Sequence, residues 1–248
     1  NIKGVKATVV SDTGAYASRQ SFVTGTVVKD CANLLKEKIL AYARQLMPEE
    51  TRELSLDHGW IMAGEDQAMS LANLALESYY SLTNSSVLTA EVSEQVKKNT
   101  IATGCCFAEV EVDIELGKIK ILHIVHDSGK LINPKLAEMQ VHGGMSMGMG
   151  YGVSEQLLLD EKTGRPLNGT LLDYKLMTMM DTPDIKADFV ELDDPVGPFG
   201  NKALGEPPAI PGAPAIRNAV LHATGVAFNE NPLTPQRLID GFMKAGLI

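Results

Sequence analysis

One carboxylate in this sequence sits between residues that restrict it. Glu206 lies in Leu204-Gly205-Glu206-Pro207-Pro208. Gly205 permits backbone conformations and close approaches denied to other residues. Pro207 and Pro208 fix φ and bring no N–H, and Pro207 biases Glu206 toward extended backbone. A carboxylate on a stiff loop suits a general base, which must stay in one place relative to the proton it takes. A solvated surface glutamate would satisfy the same five residues, so both readings stand on this stretch alone.

A second candidate lies near the start of the chain. Residues 5–10 read as a short strand rich in β-branched side chains. The small, polar run 11–21 then leads into a helix. Its apolar residues Val27, Cys31, Leu34, Leu35 and Ile39 recur at three- and four-residue steps, and Pro48 ends it near Met47. A helix start of this kind offers unpaired N–H groups and the positive end of the helix dipole, which suit a phosphate. Ser18 and Ser21 add hydroxyls and Gln20 an amide, although an ordinary N-cap accounts for the same residues.

Asn133-Pro134 predicts a third helix, with Asn133 as N-cap and Pro134 at its first position. It carries Gln140 and His142 and then the glycines 143, 144, 148, 150 and 152. Glycine weakens a helix by roughly 0.5–1 kcal/mol relative to alanine, so something must compensate. Gly144, Gly148 and Gly152 share one face, which fits backbone-on-backbone packing; close approach to a bulky ligand is the other possibility. An amide such as Gln140 offers both donors and an acceptor. His126-Asp127-Ser128 is not read as a triad, because neighbours on a strand point to opposite faces. The five histidines show no spacing that makes a metal pair.

Three stretches together resemble the molybdenum hydroxylase family, which includes the xanthine dehydrogenases and aldehyde oxidases. They are Leu204-Gly205-Glu206-Pro207-Pro208, Gln140-Val141-His142-Gly143-Gly144 and Pro214-Ala215-Ile216-Arg217-Asn218-Ala219. The resemblance is to the C-terminal part of the molybdenum-binding subunit and is strongest from residue 104 onward. It implies that Glu206 is the general base and that Ala17, Ser18, Gln20, Ser21 and Gln140 bind the cofactor. The metal would then be held by the dithiolene of molybdopterin, in its cytosine dinucleotide form, and not by protein side chains. The implied reaction is oxidation of a purine such as xanthine or hypoxanthine, with water as the oxygen source. Nicotinate, another N-heterocycle or an aldehyde are the alternative substrates. Iron–sulfur clusters and FAD are expected on partner subunits. The family's glycine–glutamine–glycine loop, and the arginine and glutamate that hold a purine, have no counterpart here. The chain is therefore expected to form one wall of an active site. The rest of the molybdenum-binding subunit, or a second molybdopterin subunit, would complete it. A non-catalytic scaffold that has kept the fold is the reading from a different class.

The 248 residues allow one large domain, 1–248, with possible subdomains near 1–103 and 104–248. Helical periodicity alternates with β patterns: a hairpin around His58-Gly59 with Trp60 in the core, a helix at 67–80, strands from 104 to 125 and at 185–192, and helices at 214–224 and after Thr234. The fold class is α+β, mixed sheets with packed helices, as in the C-terminal portion of the molybdopterin-binding domain of the xanthine dehydrogenase/aldehyde oxidase type. Net charge is −9 with no basic stripe, which argues against nucleic acid. No apolar run approaches a membrane span. Three cysteines, two of them adjacent, fit neither a disulfide framework nor a Cys-x-x-Cys pattern. A cytoplasmic setting is expected.

Overall fold

The computed structural model describes residues 16–93, 98, 100–127 and 129–248, and for 118–127 it describes the backbone. The strand expected at 5–10 lies outside the described residues. By contacts, residues 23–93 belong to one compact unit, and residues 16–22 and 98–248 to a second.

The first unit contains most of α1 (Gln20–Leu46), a sheet of β1 (Leu54–Asp57), β2 (Trp60–Ala63) and β3 (Asp66–Ser70), and then α2 (Leu71–Tyr80). The sheet is antiparallel in the order β1-β2-β3. His58 and Gly59 both have positive φ, 40° and 85°, as a two-residue hairpin with the right strand twist requires. Tyr42, Ala43, Leu54, Ile61, Ala63 and Leu74 form its core. Two expectations are corrected here. The helix read over 67–80 begins only at Leu71, because Asp66–Ser70 pairs with β2. Ser70 then caps the helix by accepting from Asn73 N–H. Trp60 is 36% exposed and not in the core, since it opens β2 directly after the turn. Beyond α2, side chains of α1 take up carbonyls of an irregular segment: Tyr42 donates to Asn84 O at 2.8 Å and Lys38 to Thr89 O at 2.7 Å.

In the second unit, β4 (Thr103–Asp113) and β5 (Lys118–Asp127) form a long antiparallel hairpin, with β6 (Ala187–Phe189) parallel to β5. The hairpin turn is closed by Asp113, whose carboxylate accepts from Glu115 and Leu116 N–H, and by Gly117 at φ 62°. Helices α3 (Pro134–Val153), α4 (Gly212–Thr224) and α5 (Pro235–Ala245) complete the unit. The β pattern read from residue 104 has its physical basis here. Ala108, Val110, Val112 and Ile114 pack on a core of Met149, Ile216, Val220, Phe228, Leu233, Leu238 and Phe242, while Glu109, Glu111 and Asp113 are exposed. The caps follow the sequence. Asn133 Oδ1 accepts from Leu136 N–H at 3.1 Å, Thr234 accepts from Arg237 N–H, and Gly225 ends α4 in left-handed conformation. The strand expected at 185–192 is only three residues long.

Candidate functional site

Glu206 is exposed, and its backbone is αR, with φ −88° and ψ −35°. This corrects the expectation of extended backbone before Pro207. Pro207–Ala209 form a 3-10 turn that Glu206 opens, its carbonyl accepting from Ala209 N–H at 3.0 Å. The turn runs on into α4. Proline therefore does not stop the chain turning here; it sits at the first position of a short helical turn, where no N–H is needed.

Packing against α3 holds that turn. A Cβ on Gly144 would lie 2.9 Å from Pro208 Cβ, one on Gly148 2.5 Å from Ala209 O, and one on Gly152 3.1 Å from Ala213 Cα. Gly212 faces α3 in the same way: a Cβ there would lie 3.1 Å from the carbonyl carbon of Gly148. The shared face of α3 is thus a surface for backbone-on-backbone contact, and dispersion at this range offsets the weak helix propensity of glycine. Gly143 differs, since a Cβ there would meet nothing within 4 Å.

The loop before α1 reaches the same place. Ala17 and Ser18 both have positive φ, 52° and 56°, a conformation that non-glycine residues adopt at a cost. Ser18 Oγ accepts a short hydrogen bond from Glu206 N–H and donates to Glu206 Oε2 at 3.1 Å. A Cβ on Gly205 would lie 3.1 Å from Ser18 Oγ, so glycine is what lets the two segments meet. Gln140, on α3, donates from Nε2 to Gly205 O at 3.3 Å. Ser18, Gln140, Gly205 and Glu206, far apart in the chain, are therefore brought together. Ala17, Gln20 and Ser21 are exposed and flank Ser18, with Gln20 and Ser21 opening α1.

His142 Nε2 and Asn201 Oδ1 are buried without a hydrogen-bond partner. That state has no sequence signal, because orphaned polarity is a property of packing. Cys106 is half-buried beside Val141 and Met145; burial, then the neighbouring Cys105, push its thiol up to about 11. An apolar cavity lined by Cys106, Met145, Met149 and Gly212 measures ≈ 10 Å³, room for about one water. Among the described residues no three His, Cys, Asp or Glu could hold a metal ion, and no helix is long and apolar enough to cross a membrane.

A family described as molybdopterin cofactor-binding domain matches residues 2–183. The chain is 48% identical over 242 residues to the xanthine dehydrogenase molybdenum-binding subunit of Escherichia coli, which covers 96% of this chain and 32% of that protein. Its fold is similar to part of quinoline 2-oxidoreductase from Pseudomonas putida, with a TM-score of 0.82, 26% identity, and coverage of 93% of this chain and 31% of that one. It is equally similar to part of a copper–molybdenum carbon monoxide dehydrogenase, at TM-score 0.83 and 25% identity, covering 94% of this chain and 30% of that one. The chain spans about a third of the length of these relatives. On sequence and fold together, it belongs to the molybdopterin cofactor-binding domain family.

Proposed function

We propose that this chain forms one wall of the active site of a molybdenum-dependent hydroxylase of the xanthine dehydrogenase type. The reaction is the oxidation of a purine such as xanthine or hypoxanthine, with water supplying the oxygen and Glu206 acting as general base. The observation that carries this is the exposed Glu206 held at both its backbone and its carboxylate by Ser18. A surface glutamate without a task has no need of such restraint, which removes side-chain freedom.

The residues around Glu206 suit a pterin with its phosphate. The loop ends at the start of a 27-residue helix with no acidic side chain in its first turn, so the positive end of the dipole is left for an anion. Ala17 and Ser18 through their backbone, and Gln20 and Ser21 through backbone and side chain, would hold the phosphate. Gln140 uses an N–H on Gly205, and its carbonyl oxygen and second N–H remain for the pterin. When bound, the molybdenum group supplies a site that accepts two electrons from the substrate. Glu206 takes a proton from the attacking oxygen, a role typically worth 10²–10⁴-fold in rate. α3 and the Ser18 loop keep it in place. The cofactor is proposed in the cytosine dinucleotide form, with iron–sulfur clusters and FAD on partner subunits. The rest of a molybdenum-binding subunit, or a second molybdopterin subunit, would supply the other wall, and the setting is cytoplasmic. The similarity to quinoline 2-oxidoreductase supports a second reading, in which the substrate is nicotinate or another N-heterocycle and the chemistry is unchanged.

The test is purification from the native host with molybdenum, iron and flavin quantified, followed by assays with xanthine and nicotinate. Molybdenum, iron and FAD in the complex, with turnover of one substrate, are expected. A metal-free chain without activity, purified with no partner, would favour a scaffold. The isolated chain is expected to lack molybdenum; a near-stoichiometric content would contradict the one-wall account.

A further inference from the structure

We infer that the Ser18 hydroxyl is a positioning group for Glu206 and does not bind the cofactor, and that it leaves Glu206 Oε1 as the oxygen that takes the proton. This rests on Glu206 being the base. A serine hydroxyl has one proton and two acceptor sites. Here the proton goes to Glu206 Oε2 at 3.1 Å, and one acceptor site takes Glu206 N–H. Phosphate oxygens at neutral pH accept hydrogen bonds, so a hydroxyl whose only proton is committed elsewhere has little to offer them. It can, however, fix a glutamate: bonds at the N–H and at the carboxylate of one residue close a ring through its side chain and select a single rotamer.

Three further features point the same way. Ser18 has φ 56° and follows Ala17 at φ 52°, and strain of this kind persists where surrounding contacts maintain it. Gly205 leaves room for the hydroxyl, since a Cβ there would come within 3.1 Å of it. Glu206 itself is αR before a proline, against the usual bias, in the backbone geometry that presents its N–H to Ser18. In the reaction, the O–H bond of the attacking hydroxyl breaks, its electron pair stays on the attacking oxygen, and the proton moves to Glu206 Oε1. Ser18 keeps its hydrogen bond to Oε2 throughout, so the base gains a proton without reorienting.

The test uses the complete enzyme purified from its host, with Ser18→Ala, Ser18→Gly and Glu206→Gln compared with the parent. Both Ser18 variants should lower kcat about 10- to 100-fold, the scale of a misplaced catalytic group, with KM within about twofold and molybdenum content unchanged. Crystal structures of these variants should show Glu206 in more than one rotamer. Glycine suits φ 56° better than serine does, so a merely conformational role predicts that Ser18→Gly keeps the parent kcat. That result would overturn the inference. So would molybdenum loss parallel to activity loss, which would make Ser18 a cofactor ligand. Full turnover by Glu206→Gln would remove the base itself, a failure distinguishable from that of Ser18 alone.

Discussion

The turn that carries Glu206 is held in two ways. On α3, Gly144, Gly148 and Gly152 bring backbone against Pro208, Ala209 and Ala213. At the loop before α1, one hydroxyl makes both contacts with Glu206. The first sets the main chain of α3 against main-chain atoms and Cβ carbons, with no rotamer to yield, and it fixes where the turn lies. The second acts through a single side chain and fixes how the carboxylate is aimed. Damage to the glycine face should therefore appear as lost stability, and damage to Ser18 as lost turnover in a stable protein.

The largest stability effect is expected for Gly148→Ala, whose Cβ would meet the backbone oxygen of Ala209 at 2.5 Å. Overpacking of this kind costs about 1–3 kcal/mol, partly offset by the better helix propensity of alanine. A thermal melt should show a clear fall in Tm. Gly143→Ala should do the opposite. Its Cβ meets nothing, so the variant should gain about 0.5–1 kcal/mol, read as a higher midpoint in urea. Equal effects at the two positions would break the distinction between the packed face and the open one.

A smaller effect concerns the same buried side of α3. The Cys106 thiol, pushed up to about 11 by burial, is protonated and unreactive near pH 8. Its alkylation, followed by mass spectrometry, should accelerate as pH rises toward about 11. Gly148→Ala, by loosening α3, should bring faster labelling at lower pH. Rapid modification of Cys106 in the parent protein at pH 8 would show that this face is less closed than the packing implies.

What could be read from the sequence was what depends on near neighbours. Asn133 and Thr234 as caps, Gly225 as a helix end, the hairpin at His58-Gly59 and the alternation of β4 are each set by residues a few positions away. The shared glycine face was visible as a spacing, but what it touches was not. Two misreadings lie in the first sheet. Met69, opposite Ile61 in the sheet, looks helical until β2 is beside it. Trp60 looks like core until its place at the turn is known. At the site, Glu206 and Ser18 stood out by residue type and surroundings, and the resemblance gave Gln140 its expected role. The bond between Ser18 and Glu206 spans 188 positions, so it had no local signature.

The central claim, that this architecture exists to hold Glu206 as a base, is tested most directly by Glu206→Gln in the complete enzyme, with kcat/KM and molybdenum content measured on the same preparation. The amide keeps the shape of the side chain but cannot take the proton. The expected result is a fall of about 10²–10⁴-fold or more in kcat/KM with molybdenum unchanged. Activity within a few-fold of the parent, or activity lost only in proportion to lost molybdenum, would contradict it.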